Sequence, residues 1–379
     1  MRVGRRRAIA LIGLGGVATV GFPLKQLFAA SDKSYFVSSN SGNFGSYSIA
    51  VMTQDGCKVF ETALPYRAHG IAYDRVHARI AIVARRPGRS IDIISISDGC
   101  ISHRLNAPVD HHFYGHAVFS PHGDRLYTTE NQFETGDGII GVWDLTSVPK
   151  RLRQFPSYGV GPHEIVLNPN GKTLIVANGG IRTHPETGRR KLNLPIMSSN
   201  LTYIDRETGA KLVTTKFEGE RLRTLSIRHL AITEDETVCL GLQDQNPQGD
   251  SVPLVAIKRR GSCILHPVKA SSEIIQRMRS YTGSVAFDSS FCVAAVSAPR
   301  GNFVTFWDIS SGMFLHNCPI IDGCGVAPTG EPGEFLLTSG AGGLSNFNAL
   351  TGKHVRLSND FIDSRRWDNH LLSFLFAKT

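Results

Sequence analysis

Five histidines in this chain share one local setting. His69, His116, His163, His229 and His370 each open a short apolar run, "HGIAYD", "HAVFS", "HEIVL", "HLAI" and "HLLSFLF". The first three follow one another at intervals of 47 residues. If the chain brings them together, their chemistry follows from charge. Two unit charges about 4 Å apart repel by about 4 kcal/mol at an effective dielectric near 20, so crowded imidazoles stay neutral and keep a free nitrogen lone pair. Neutral imidazole is a ligand for iron, copper, nickel or zinc, and it needs an acceptor behind it to fix its tautomer. The residues alone leave iron, copper and zinc open. Candidate acceptors are Glu164 beside His163, Glu130 and Glu134 in "TTENQFE", and Asp110 in "VDHHFYGH", with Asp244 and Asn246 as further oxygen donors. Arg85, Arg86 and Arg89 in "ARRPGR", Arg228 before His229, Arg300 in "SAPRGN", Tyr114 and Tyr158 offer groups for a carboxylate or other anion beside the metal. His111, His112, His184 and His266 fall outside the repeat register and read as ordinary.

The elements that must position these residues follow from that register. "HGIAYDRVHARIAIVARRPG", "HAVFSPHGDRLYTTENQFE" and "HEIVLNPNGKTLIVANGG" align with their histidines in step. Each unit reads as four strands, as in "HAVFS", "RLYTTE", "IIGVWDL" and "RLRQFP", marked by alternating and β-branched residues. Four antiparallel strands per repeat of about 40 to 45 residues make a propeller blade. The fold class is therefore all-β, a seven-bladed β-propeller spanning 31–379. Its innermost strands start near 69, 116, 163, 229, 284, 325 and 370. Ser284 and Gly325 take the two positions without histidine. The seventh blade is split: "HLLSFLF" at the C-terminus joins "SYFVSSN", "SYSIAV" and "KVFETALP" at the N-terminus, closing the ring and removing exposed edges. Gly turns such as "DGC" at 55–57 and 98–100 fit tight hairpins. The insert "IRTHPETGRRKLNLP" reads as a lid over the histidine rim or as an exposed loop.

Residues 1–30 carry Arg5, Arg6 and Arg7 ahead of an apolar run from Ala8 to Phe22, the pattern of a twin-arginine export signal. The expected location is periplasmic, with membrane anchoring if the signal is not cleaved, and with no stable span after its removal. Without these residues the formal charge falls from +9 to +4, too weak and scattered for nucleic-acid binding. The seven cysteines form no CxxC pair and read mostly as small core thiols, with Cys318 and Cys324 the nearest pair in sequence. No GxSxG elbow, Walker loop or Rossmann fingerprint is present.

"GPHEIVLNPNGKTLIVAN" resembles the blades of lactonase-type and YVTN-type propellers. That resemblance implies an alternative, a hydrolase in which His163, Glu164 and Arg228 activate water and hold the substrate anion. A third reading is a pure protein-interaction platform. Over nearly the whole mature chain, "GHAVFSPHGDRLYTTEN", "FPSYGVGPHEIVLNPNGKTLIVANGGIRTHPETGRRKLNL", "LSIRHLAI" and "SAPRGNFVTFWD" resemble a family of exported bacterial propellers. Members of that family accompany imelysin-type periplasmic iron-uptake proteins. The resemblance implies an iron-related periplasmic role, with imelysin-type proteins as partners, and supplies no catalytic residues.

Overall fold

The computed structural model describes residues 34–42, 45–188, 190–246, 248 and 250–375. The export-type segment over 1–30 lies outside them. Among the described residues, seven four-stranded antiparallel sheets are arranged as a ring. The inner strands are Ala68–Asp74, His111–Phe119, Pro162–Leu167, Leu225–Ile232, Ser284–Phe287, Gly323–Pro328 and Arg366–Leu375. We number blades 1 to 7 in that order.

Burial across each blade explains its sequence. The second strand of blade 3, Thr173–Asn178, is buried at every position because neighbouring blades cover both its faces. The outermost strand of blade 1, Ile101–Asn106, buries only Leu105. Between blades 7 and 1 the packing joins Val37, Ile49 and Val51 to Ile80, Ile82 and Ile94. At about 25 cal/mol per Å2, such continuous apolar burial between blades is the main stabilising term.

Closure occurs as the sequence implies. Arg366–Leu375 pairs antiparallel with Ser34–Ser41, matching Tyr35 with Phe374 and Val37 with Leu372. Two details differ from the sequence reading. Four of the seven cysteines, Cys57, Cys100, Cys263 and Cys292, are exposed, while Cys239, Cys318 and Cys324 are buried, and all seven are free. The exposed four sit in hairpin turns, where a thiol meets solvent and not a core. The inner strands of blades 2, 4 and 7 also begin earlier than expected, at His111, Leu225 and Arg366 and not near His116, His229 and His370.

That earlier start comes with bulges. In blade 1, His69 and Gly70 together oppose one residue, since Ala68 pairs with Ala84 and Ile71 with Ile82. In blade 2 the break lies between Phe113 and Ala117, in blade 3 between Pro162 and Glu164, and in blade 4 between Ile227 and His229. Blade 6 breaks between Gly323 and Val326, and in blade 7 Asp368, Asn369 and His370 oppose Ser39 alone. The inner strand of blade 5, which begins at Ser284, pairs without a break. A bulge leaves extra residues unpaired and re-aims their side chains. Every histidine-bearing inner strand thus carries a bulge at or beside its histidine.

Candidate functional site

The bulges turn five imidazoles onto the propeller axis. Ring centroids of His69 lie 4.9 Å from His116, 5.4 Å from His163 and 4.7 Å from His370. His116 and His370 are 4.6 Å apart, and His163 and His229 are 4.8 Å apart. All five expected ligands therefore converge, across blades 1, 2, 3, 4 and 7. Two glycines permit the approach. A Cβ on Gly70 would meet the Gly115 carbonyl oxygen at 2.2 Å, and one on Gly115, whose φ is 117°, would meet the His69 ring at 2.4 Å.

Burial sets the protonation. It pushes the pKa of His69, His116 and His163 well below the ordinary histidine value, and nearby positive charges, Arg228 foremost for His163, push the same way. His229 is brought down to about 3 and His370 to about 4 by the same burial. All five are neutral at pH 7.

Hydrogen bonds then fix tautomers. His163 Nδ1 lies 2.9 Å from the Arg228 carbonyl oxygen. A carbonyl only accepts, so Nδ1 carries the proton and Nε2 keeps its lone pair. His229 Nδ1 lies 3.1 Å from Glu164 Oε2, which also accepts from the Leu230 amide; with Glu164 ionised, Nδ1 donates and Nε2 stays free. His69 Nδ1, His116 Nε2 and His370 Nε2 are buried without a hydrogen-bond partner among the described residues. Each such orphan costs about 1–3 kcal/mol.

Two sets of ligand atoms lie within 4.8 Å of one another: His69, His116 and His163, and His116, His229 and His370. A metal with bonds of about 2.1 Å needs ligand atoms no more than about 4.2 Å apart. The rings of a set would have to draw together by up to about 0.6 Å to share an ion. His116 belongs to both sets.

Glu164 is the carboxylate of this cluster, though its partner is not its neighbour His163. It accepts from His229 Nδ1 and from the Leu230 amide, and lies 3.8 Å from His116 Nδ1. Burial pushes its pKa up to about 7, opposed by His370 and the Leu230 N–H. The other expected acceptors lie elsewhere. Glu130 is buried inside blade 2 and accepts from His111 Nδ1 at 2.7 Å, Arg151 at 2.6 Å and Thr128 at 2.7 Å. Asp110 accepts from Gln132, and Asp244 is paired with Arg221 at 2.5 Å. Glu134 lies 3.6 Å from His184 of the insert.

Over the cluster sits a cavity of about 480 Å3, with His69, His163 and His229 in its floor. Arg85, Arg86, Arg228, Arg300 and Tyr114 stand in its wall as the sequence suggests; Arg89 and Tyr158 do not. Arg89 donates to the Ala107 and Pro108 carbonyls, and Tyr158 to the Gly209 carbonyl. The insert acts as a lid: Thr183, His184, Pro185, Gly188 and Lys191 line the cavity. Sequence reasoning set His112 aside, yet it too lines the wall. Both its nitrogens are used, one donating to the Phe113 carbonyl and one accepting from Asn131, so it is no ligand. Lys191 and Tyr281 were missed; the basic run "GRRK" was the available signal for the lysine.

A family model described as "Protein of unknown function (DUF1513)" matches residues 62–374. The chain belongs to the DUF1513 family. No curated protein matches it in sequence. Among solved structures, the DUF1513 chain is similar to the β-propeller domain of Myceliophteria thermophila Cps50 (Swd1), with 13% identity and a TM-score of 0.57 over 82% of this chain and 93% of that one. It is also similar to Kuenenia stuttgartiensis hydrazine synthase, with 12% identity and a TM-score of 0.59 over 83% and 90% of the two chains. At such identities the likeness is one of fold. No helix among the described residues is long and apolar enough to cross a membrane.

Proposed function

We propose that this propeller binds one transition-metal ion on its axis and serves as a periplasmic binding or docking module in metal uptake, with iron as the first candidate ion. One observation carries the reading: five neutral imidazoles from five blades, four of them buried and His370 partly buried, converge with lone pairs that no protein donor occupies. An ion coordinated there would convert their desolvation cost into ligand bonds. Imidazole suits iron, copper, zinc and nickel alike, so the preference for iron rests on the resemblance to propellers that accompany imelysin-type iron-uptake proteins. The arginine-rich start of the chain supports export.

Electrostatics supports a single ion. Two dications about 6 Å apart would repel by on the order of 10 kcal/mol even at an effective dielectric of 20. Among the described residues, Glu164 is the carboxylate that contacts these rings, at His229 and His116. Carboxylate at Glu164, donated to by His229, would orient that ring and offset the ion's charge.

The hydrolase alternative is less well supported by the same geometry. His163 and Arg228 reach the cavity, but Glu164, the proposed base, is not in its wall and is occupied behind His229.

Metal content decides between the binding module and a platform with structural histidines. Protein prepared without chelator or affinity tag should carry about one ion per chain, and titration of the stripped protein with ferrous, zinc and cupric ions should saturate at the same ratio. His116→Ala with His163→Ala removes a ligand from both sets and should abolish loading. Equal metal content in the two proteins, with both folded by circular dichroism, sinks the proposal.

A further inference from the structure

The cavity above the histidines has a charge problem that the metal does not solve. Among the described residues, five cations, Arg85, Arg86, Lys191, Arg228 and Arg300, line it with one carboxylate, Asp244, already paired with Arg221. Arg85 is paired with Asp368 at 3.3 Å. The other four have no ion pair among the described residues. Arg86 reaches only the Thr183 hydroxyl, at 3.4 Å, and lies over the Tyr114 ring; Arg300 lies over the Tyr281 ring, 4.4 Å from its centre.

Arg228 is the most telling of the four. It is 6% exposed, and its one side-chain hydrogen bond runs from Nε to Gln243 at 3.3 Å. Its two terminal nitrogens, the pair that grips an oxyanion side by side, have no hydrogen-bond partner among the described residues. Burial and then the charge of Arg86 lower its pKa to about 10, and burial followed by Arg228, Arg300 and Arg86 lowers that of Lys191. These side chains feel one another as like charges across a shared space. A buried guanidinium without a counter-charge is held against its desolvation cost, which an anion of matching shape would offset.

We infer that the cavity is a binding site for a small polyanion carrying two or more carboxylate or phosphate groups, seated between Arg228 and the rim cations Arg86, Lys191 and Arg300. A cavity of about 480 Å3 is in the range of small-ligand sites, and the lid supplies one of the four cations. The inference deepens the metal reading and rests on it for one point: the anion would lie against the histidine floor, so the natural ligand is a metal chelate or an anion that completes the coordination sphere.

Calorimetry on metal-stripped protein separates the two claims. Citrate and inorganic pyrophosphate are the probes, with acetate as the monovalent control. A polyanion should bind at least about tenfold more tightly than acetate, and its affinity should fall as salt is raised. Arg86→Gln with Arg300→Gln, both at the open rim, should weaken it by about tenfold or more while leaving metal content unchanged. His116→Ala with His370→Ala, neither of which lines the cavity, should lose metal but keep the polyanion affinity within about twofold. Citrate preferred over pyrophosphate assigns a polycarboxylate, and the reverse order assigns a phosphate. Failure of both probes to bind at millimolar concentration, or binding that the arginine substitutions leave unchanged, overturns the inference whether or not the histidines bind metal.

Discussion

Metal-free protein is expected to lose stability steeply as the pH falls from about 6.5 toward 4. The five axial histidines have folded-state pKa values far below the ordinary one, about 3 for His229 and about 4 for His370. In the unfolded chain they titrate near 6.5. Between those limits the unfolded state binds more protons than the folded one. Stability is therefore complete above about 6.5 and drains away as the pH drops toward the folded values. Each proton taken up differentially costs about 1.4 kcal/mol per pH unit. Two of the five fully engaged would remove about 3 kcal/mol per unit, against a total of about 5–15 kcal/mol for a folded domain. Glu164 acts in the opposite sense. Its pKa is raised to about 7, so it favours the fold below its ordinary value and loses that contribution as the pH rises through 7. One such group does not balance five. Denaturant midpoints at pH 7.5, 6, 5 and 4.5 check the slope, and a flat profile contradicts it.

The same burial places metal release lower than free imidazole would. Because the folded ligands stay neutral well below pH 6.5, a loaded site should keep its ion at pH 5.5 and release it near pH 4. Bound metal should also shift the acid transition downward, since it stabilises only the folded state.

The second large effect concerns the glycines between the histidines. Gly70→Ala should destabilise the protein by about 3–5 kcal/mol, because its new Cβ would meet a backbone oxygen at 2.2 Å and the inner strands of blades 1 and 2 would have to part. Gly115→Ala should cost about 2–4 kcal/mol, combining a φ of 117° with a contact of 2.4 Å to a ring that has some freedom to turn. Gly261→Ala is the control. Its φ is 70° with nothing within 4 Å, so only the left-handed backbone strain of about 1 kcal/mol applies. Denaturant unfolding of the three variants reports the order. Gly70→Ala matching Gly261→Ala would mean that the inner strands are not in contact at the histidines.

The ring and its closure were legible because the first three inner-strand histidines repeat at 47 residues and because "HLLSFLF" and "SYFVSSN" each need an apolar partner. Convergence of the five imidazoles followed from the same register. Which carboxylate serves them did not. Glu164 adjoins His163 in sequence, yet the bulge between Pro162 and Glu164 directs it to His229 and His116 of the neighbouring blades. Glu130 looked equivalent and is committed to His111 and Arg151 within its own blade. A glycine within a strand hints at a bulge but does not say which way its neighbours turn, and one extra residue exchanges the faces of all that follow. Arg228 and His229 show the consequence: they are consecutive, and both reach the cavity. The lid function of "IRTHPETGRRKLNLP" was open in the sequence because loop composition does not say where a loop folds back.

The central claim is that the ion sits among these imidazoles, and X-ray absorption at the metal edge of the loaded wild-type protein tests it most directly. Three or four nitrogen neighbours at about 2.0–2.1 Å, with the outer-shell scattering of imidazole rings, are the predicted result. A first shell of oxygen without imidazole scattering would contradict it.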